Sequence, residues 1–266
     1  MDRIADAVHW YKTLTHELGE NTTWGTPGEG GQRAQQRVKA LIELFFSISD
    51  EMGLTELLEV GAHDAEASKR FVASGAHRSA VGYDASPSVV ARVTAAGLPE
   101  RFSLYHSAIG TAKGTITFFS PRDPFYSVWG STARRGGFSD VEEIRVPIIS
   151  MDEAADKLGG RSSFRNVALW VDVEGVALDV LRSGRHALSS KVALLYVELN
   201  DKNAYEGSAN AVNVIALMLD VDFVPLARDN EYPDAWNLIF VHKSYFHEPR
   251  EAFMRWTYSL LPGSPY

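Results

Sequence analysis

Cysteine is absent from the 266 residues of this chain. That excludes disulfides, a thiolate nucleophile and a zinc–thiolate site, and leaves carboxylates, histidines and hydroxyls to carry any chemistry. Positive charge is also short: 26 Lys and Arg stand against 34 Asp and Glu, a formal net charge of −8. A large phosphate-binding surface is therefore not expected, and nucleic acid is not an expected partner. No uninterrupted apolar run reaches about 18 residues, so no membrane span is expected. The opening Met1-Asp2-Arg3-Ile4-Ala5-Asp6 lacks the basic stretch and apolar core of a signal peptide, which makes a soluble cytoplasmic protein the expectation. What remains, 45% hydrophobic and 23% charged, is globular in composition and excludes disordered, collagen-like and coiled-coil classes.

Two helical periodicities open the chain, Ile4, Val8, Tyr11 and Leu14, then Val38, Leu41, Ile42, Phe45 and Phe46. Between them Gly25-Thr26-Pro27-Gly28-Glu29-Gly30-Gly31 reads as a loop. Residues 1–50 are expected as an N-terminal helical cap. From residue 54 the pattern changes to short apolar runs at 54–60, 79–83, 102–106, 167–171 and 192–197. Helical stretches at 65–73, 88–96, 176–181 with 187–188, and 209–219 fit between most of them. This alternation predicts parallel βαβ units with helices on both faces of one sheet, a doubly wound Rossmann-like α/β fold. The end differs. Runs at 223–226 and 236–241 are joined by a connection too short for a crossover helix, so they should form an antiparallel hairpin. The α/β domain is thus expected over 51–245, followed by an aromatic tail, 246–266. An insertion at 111–149 separates the third and fourth strands, with extended segments expected at 115–119 and 143–149. The loop between them is rich in Pro, Gly, Ser and aromatics, and a loop of that length inside a compact domain is usually functional.

The segment Glu59-Val60-Gly61-Ala62-His63-Asp64-Ala65-Glu66-Ala67-Ser68 reads as a buried strand, a small-residue turn and a helix. Open α/β sheets bind ligands at such turns, beyond the carboxyl ends of the strands. Gly61 would let the backbone approach a ligand closely. The next strand ends in Asp84, and an acid about 20 residues beyond the glycine turn suits the two hydroxyls of a ribose. Asp84 also suits a helix N-cap role together with Ser86-Pro87. A dinucleotide site wants three glycines and a pyrophosphate on the helix N-terminus. Here Gly61 stands alone, and Asp64 and Glu66 follow. Negative charge there would repel pyrophosphate but tolerate the sulfonium and ammonium of S-adenosylmethionine. The closing hairpin also points to the methyltransferase variant of the sheet, as a fold-level analogy.

Four blocks give a specific resemblance. They are the Glu59–Ser68 turn; Ser107-Ala108-Ile109-Gly110 with Gly114-Thr115-Ile116-Thr117-Phe118; Ile148-Ile149-Ser150-Met151-Asp152; and Val171-Asp172-Val173-Glu174-Gly175-Val176-Ala177-Leu178-Asp179-Val180-Leu181-Arg182-Ser183-Gly184. The last is the most specific. Together they resemble the FkbM family of S-adenosylmethionine-dependent methyltransferases over about residues 55–245. The chain departs from that pattern at His63 and Ala65, where the family commonly has Asn and Gly, and at Leu178, where it has an acid. The resemblance implies a class I methyltransferase sheet and methyl transfer to a hydroxyl, often on a sugar or natural-product scaffold. It further implies that Glu59, Gly61, Ala62, His63 and Ser68 belong to the cofactor turn, that Asp84 holds the ribose, and that Ala85, Ser107 and Ala108 meet the adenine. The acids Glu59, Asp84, Asp172, Glu174 and Glu198 would concentrate part of the −8 charge where a cationic cofactor is held.

Asp172 and Glu174 end the fourth strand, where substrate and cofactor should meet. Asp172 is the first candidate for a polar catalytic role and a cofactor contact, with Glu174 beside it. Their competing role is to cap the following helix. Asp172, Glu198 and Asn200 also form an oxygen set that suits Mg²⁺. Among the eight histidines, His106 at a strand end and His63 in the turn could act as bases near neutral pH, although a structural role is the commoner one. In the insertion, Tyr126, Ser127, Trp129, Ser131, Thr132, Arg134 and Arg135 suit a hydroxylated, sugar-like partner. Trp24-Gly25-Thr26-Pro27-Gly28 could close over the same crevice. A homo-oligomer is compatible with the chain. Two other readings stand beside the enzyme: a non-catalytic cofactor-binding or assembly module that kept the fold, favoured by the altered turn, and a nicotinamide-dependent oxidoreductase, disfavoured by the missing glycines.

Overall fold

The computed structural model describes residues 29–123, 129–136, 140–159, 165–200, 205, 211–229 and 235–245. The first periodic stretch, the Trp24–Gly28 lid, Tyr126, Ser127 and the tail 246–266 lie outside the described residues.

Seven strands form the main sheet: β1 (Glu56–Val60), β2 (Ser79–Asp84), β3 (Phe102–His106), β7 (Val167–Val171), β8 (Val192–Asn200), β9 (Phe223–Arg228) and β10 (Ala235–His242). Their order is β3-β2-β1-β7-β8-β10-β9. Pairing is parallel from β3 to β8; β10 is the reversed strand, antiparallel to both β8 and β9. The doubly wound sheet with its closing hairpin is therefore present as expected. Every residue of β1 and of β7 is buried, because helices cover both faces of the central strands. Pro225 falls on the edge strand β9, where a missing N–H costs the ladder least. β8 runs three residues beyond the expected 197, because β10 pairs with it as far as Asn200.

One face carries α1 (Glu29–Glu51), α2 (Glu66–Ala73) and α3 (Pro87–Ala95). Leu41, Leu44, Phe45 and Ile48 recur one helical turn apart and are buried against it. Phe45 meets the rings of Trp170 and Tyr196 edge-on at 5.3 and 5.9 Å. Those two, cross-strand partners on β7 and β8, stack at 3.7 Å. This helix ends at Glu51, at the boundary expected at residue 50, and packs its apolar side onto the core. α1 also begins at Glu29, inside the stretch read as a loop, since burial of its later turns outweighs the local cost of Gly30 and Gly31.

The other face carries α4 (Met151–Ala155), α5 (Ala177–Arg182), α6 (Arg185–Ser190) and α7 (Ala211–Asp220). The insertion, joined by β4 (Ala108–Ile109) just before it, folds into a second sheet with β6 (Val141–Ile149) and β5 (Gly114–Pro121), ordered β4-β6-β5. Ala108, Phe118, Val146 and Ile148 form its small core. Among the described residues no helix is long and apolar enough to cross a membrane.

Candidate active site

One open cleft lies beyond the carboxyl ends of β1, β2 and β7, under the second sheet. Its walls come from the turn after β1 (Gly61, His63), the end of β2 (Tyr83 to Ser86), the β3–β4 junction (Ser107 to Ile109), the insertion (Phe118, Gly130 to Thr132) and the loop after β7 (Asp172 to Glu174).

Two turns are welded together by Asp84. One carboxylate oxygen accepts the His63 N–H at 2.8 Å and the other accepts the Ser86 N–H at 2.7 Å. Burial pushes the Asp84 carboxyl above its usual range, although these N–H groups and the nearby His63 and His106 favour its charged form. Ser86 in turn caps α3 through Val89 N–H, with Pro87 at the first helical position. The helix-capping and ligand-facing roles expected for this segment are therefore divided: Ser86 caps, and Asp84 lines the cleft.

Gly61 is at φ +82°, and its N–H donates to the Tyr83 carbonyl at 2.9 Å. A Cβ built there would stand 1.8 Å from the Asp172 carbonyl oxygen. The glycine is thus required first by the backbone of the neighbouring strand end, rather than by a ligand as the sequence suggested. This packing brings the β1 turn and the family's signature acids to one place.

The signature loop is braced from outside. Glu174 accepts the Tyr205 hydroxyl at 2.6 Å, and its carbonyl accepts the Ser131 hydroxyl. Arg135 donates to the Tyr205 oxygen at 3.3 Å and lies 4.1 Å over the Trp129 ring. Gly175 leaves room for the Tyr205 ring, which an added Cβ would meet at 2.5 Å. Burial, with the Glu174 charge beside it, raises the Tyr205 hydroxyl well above its ordinary value, so it remains a donor.

A family model described as the methyltransferase FkbM domain matches residues 59–225, more than half of the chain. The chain belongs to the FkbM methyltransferase family. It is accordingly an S-adenosylmethionine-dependent methyltransferase. Among curated proteins it is similar to the 2-O-methyltransferase NoeI of Sinorhizobium fredii (strain NBRC 101917 / NGR234), 25% identical over 177 residues covering 63% of this chain and 72% of that protein. Among solved structures it is similar to the plantazolicin methyltransferase BamL in complex with an analogue and SAH (10% identity, TM-score 0.46, 91% and 95% of the two chains covered). It is also similar to magnesium protoporphyrin IX methyltransferase from Synechocystis PCC 6803 with bound SAM (11% identity, TM-score 0.41, 91% and 98% covered).

The cleft of this FkbM chain suits the family's cationic cofactor. Asp84, Asp172 and Glu174 line it, and no Lys or Arg does among the described residues. His63 Nε2 and the Tyr83 hydroxyl, both buried, have no hydrogen-bond partner among the described residues. Charge at the α2 start is weaker than the sequence implied, because Asp64 is paired with Arg92 and lies 3.3 Å from His63 Nδ1.

Of the expected residues, Gly61, His63, Asp84, Ala85, Ser107, Ala108, Asp172 and Glu174 line the cleft. Glu59, Ala62, Ser68 and His106 do not. Glu59 points into the protein and accepts the Ser68 N–H at 3.1 Å. Ala62 is buried behind the turn. His106 Nε2 lies 3.0 Å from the Ala85 carbonyl, an anchor for the β2 turn. Glu198 and Asn200 end β8 beside the end of β7 that carries Asp172, and neither lines the cleft. Among the described residues no group of three or more His, Asp or Glu could hold a metal. The sequence reading missed Tyr205, which lies in no motif and fixes Glu174.

Proposed function

We propose that the protein methylates a hydroxyl of a small molecule, a sugar or natural-product scaffold. The observation that carries this reading is the composition of the cleft lining: Thr132 from the insertion with Asp172 and Glu174 from the end of β7. Hydroxyls and carboxylates set together recognise hydroxyl groups through paired donors and acceptors. The name of the Sinorhizobium relative, a 2-O-methyltransferase, supports oxygen as the acceptor atom.

S-adenosylmethionine supplies, when bound, a methyl group already activated by its sulfonium. The chain has to align the nucleophile and exclude water. Asp84, with both oxygens already oriented by backbone N–H groups, would hold the ribose hydroxyls, and Ala85, Ser107 and Ala108 would flank the adenine. Gly61 and His63 would line the methionine end. An Asp172 carboxylate oxygen would accept the proton of the acceptor hydroxyl. Glu174, fixed by Tyr205, would orient that hydroxyl rather than take its proton. His106, tied to the Ala85 carbonyl, has no part in the transfer. No step is routed through Mg²⁺.

Asp84→Ala is expected to abolish calorimetrically detectable binding of S-adenosylhomocysteine. It should also cost about 2 kcal/mol of stability, because two N–H groups lose their acceptor. Asp172→Asn is expected to bind S-adenosylhomocysteine as the wild type does, but to transfer label from methyl-labelled cofactor about 10²–10⁴-fold more slowly across a panel of sugars and polyols. Unchanged turnover in the Asn variant would remove Asp172 from the proton-accepting role.

A further inference from the structure

We infer that Arg135 and Tyr205 are positioning residues that hold Glu174 as a fixed hydrogen-bond acceptor for a second hydroxyl of the acceptor molecule, so that the substrate is a diol rather than an isolated alcohol. The inference rests on the hydroxyl-methylating reading above. The groups themselves set the direction of each bond. A guanidinium can only donate, so the Tyr205 oxygen accepts from Arg135 at 3.3 Å. A phenol carries one hydrogen, and it goes to Glu174 Oε2 at 2.6 Å. Glu174 therefore receives, through a bond as short as charge-assisted ones are.

The chain of bonds is held rigidly. Tyr205 is 1% exposed, and its ring fills the space that Gly175, at φ +76°, leaves open. The Arg135 guanidinium lies 4.1 Å from the centre of the Trp129 ring and 5.5 Å from that of Tyr205. The backbones of Arg135 and Tyr205 meet in an isolated antiparallel bridge. Glu174 is fixed at its main chain too, because its carbonyl accepts the Ser131 hydroxyl. It lines the same cleft as Asp172, two positions away on the loop after β7.

Counting hydrogens then gives the substrate class. The hydroxyl that is methylated carries one hydrogen, and in the proposed mechanism Asp172 receives it. A carboxylate offers about four lone-pair sites, of which Tyr205 takes one, so Glu174 has capacity for a substrate donor as well. That donor is a different hydroxyl from the one facing Asp172. Its capture by Glu174 fixes the acceptor at a second point and aligns the reacting oxygen.

The test measures kcat/KM of the full chain for labelled methyl transfer to methyl glycosides and polyols, each beside the monodeoxy counterpart that lacks the hydroxyl next to the methylated one. The wild type is expected to favour the intact acceptor by about tenfold or more. Tyr205→Phe keeps the ring beside Gly175 and removes the donor. It should lower kcat/KM for the intact acceptor about tenfold, leave the monodeoxy counterpart within about twofold, and bind S-adenosylhomocysteine as the wild type does. Arg135→Met, which keeps a long side chain on Trp129, should show the same pattern with a smaller factor. Added to Glu174→Gln, Tyr205→Phe should cost less than about twofold more, because it acts through Glu174. A purely structural Tyr205 would lower both acceptors alike. Equal losses on the two acceptors, additive losses with Glu174→Gln, or a wild type indifferent to the missing hydroxyl each overturn the inference. A wild-type chain that binds S-adenosylhomocysteine yet methylates no hydroxylated acceptor of the panel overturns the hydroxyl reading itself, and the inference with it.

Discussion

Gly61→Ala is expected to yield no stably folded protein, with a loss of about 4 kcal/mol or more. Two costs combine. Alanine at φ +82° pays the left-handed penalty of roughly 1–2 kcal/mol. The larger cost is steric, since the new methyl would stand 1.8 Å from the Asp172 carbonyl oxygen and 2.8 Å from its carbon. Backbone cannot swing aside as a long side chain can. Asp172 N–H donates to the Val60 carbonyl at 2.9 Å, and Val60 pairs with Val171 in the ladder, so relief means opening the centre of the sheet. Gly114→Ala is the control. That glycine has φ +84°, with nothing within 4 Å of an added Cβ, so only the conformational penalty should appear. Chemical denaturation of both variants separates the terms. A Gly61→Ala chain as stable as Gly114→Ala would mean that the two strand ends are not in contact.

That contact explains which parts of the site were legible in the sequence. Buried parallel strands announce themselves as apolar runs, so β1, β2, β3, β7 and β8 were readable, as was the reversed strand from its short connection. The acids at their ends were readable for the same reason: Asp84 and Asp172 each follow such a run and both line the cleft. Direction within a strand end was not. Glu59 lies one residue before the end of β1 and points into the protein. α4 was missed although Ser150 and Glu153 form a capping box, because the helix is five residues long and shows less than one period of apolar spacing. Tyr205 could not have been found. It stands outside the recognised blocks, and its partnership with Glu174 spans 31 residues.

The same brace links substrate choice to chemistry. Ser131, Trp129 and Arg135 come from the insertion, the part of the domain outside the main sheet, and reach the signature loop through Glu174 and Tyr205. Under the proposed function, a change of insertion sequence would therefore alter the wall proposed to meet the acceptor and the orientation of Glu174 together. Asp84, the residue proposed to hold the ribose, is anchored by the turns after β1 and β2 instead.

Glu59→Gln is expected to stabilise the protein above neutral pH while leaving it nearly unchanged at pH 5. Glu59 is fully buried within the sheet, and burial, with the Asp172 charge adding to it, raises its carboxyl from 4.5 to about 8 despite the Ser68 N–H. At neutral pH it is therefore largely protonated, which corrects the expectation that it supplies charge to a cationic cofactor. An acid whose pKa is raised on folding binds its proton more tightly in the native state. Its contribution to stability is complete below the unfolded value and is lost as pH rises from about 4.5 through about 8, at roughly 1.4 kcal/mol per pH unit. Glutamine keeps an acceptor for the Ser68 N–H at the uncapped start of α2 and cannot ionise. The difference between variant and wild type should therefore grow across that window to about 4 kcal/mol and stay flat beyond it. Urea denaturation at pH 5, 6, 7 and 8.5 measures it. Parallel stability curves for the two proteins would mean that Glu59 ionises normally in the folded state and that its carboxylate is solvated rather than enclosed.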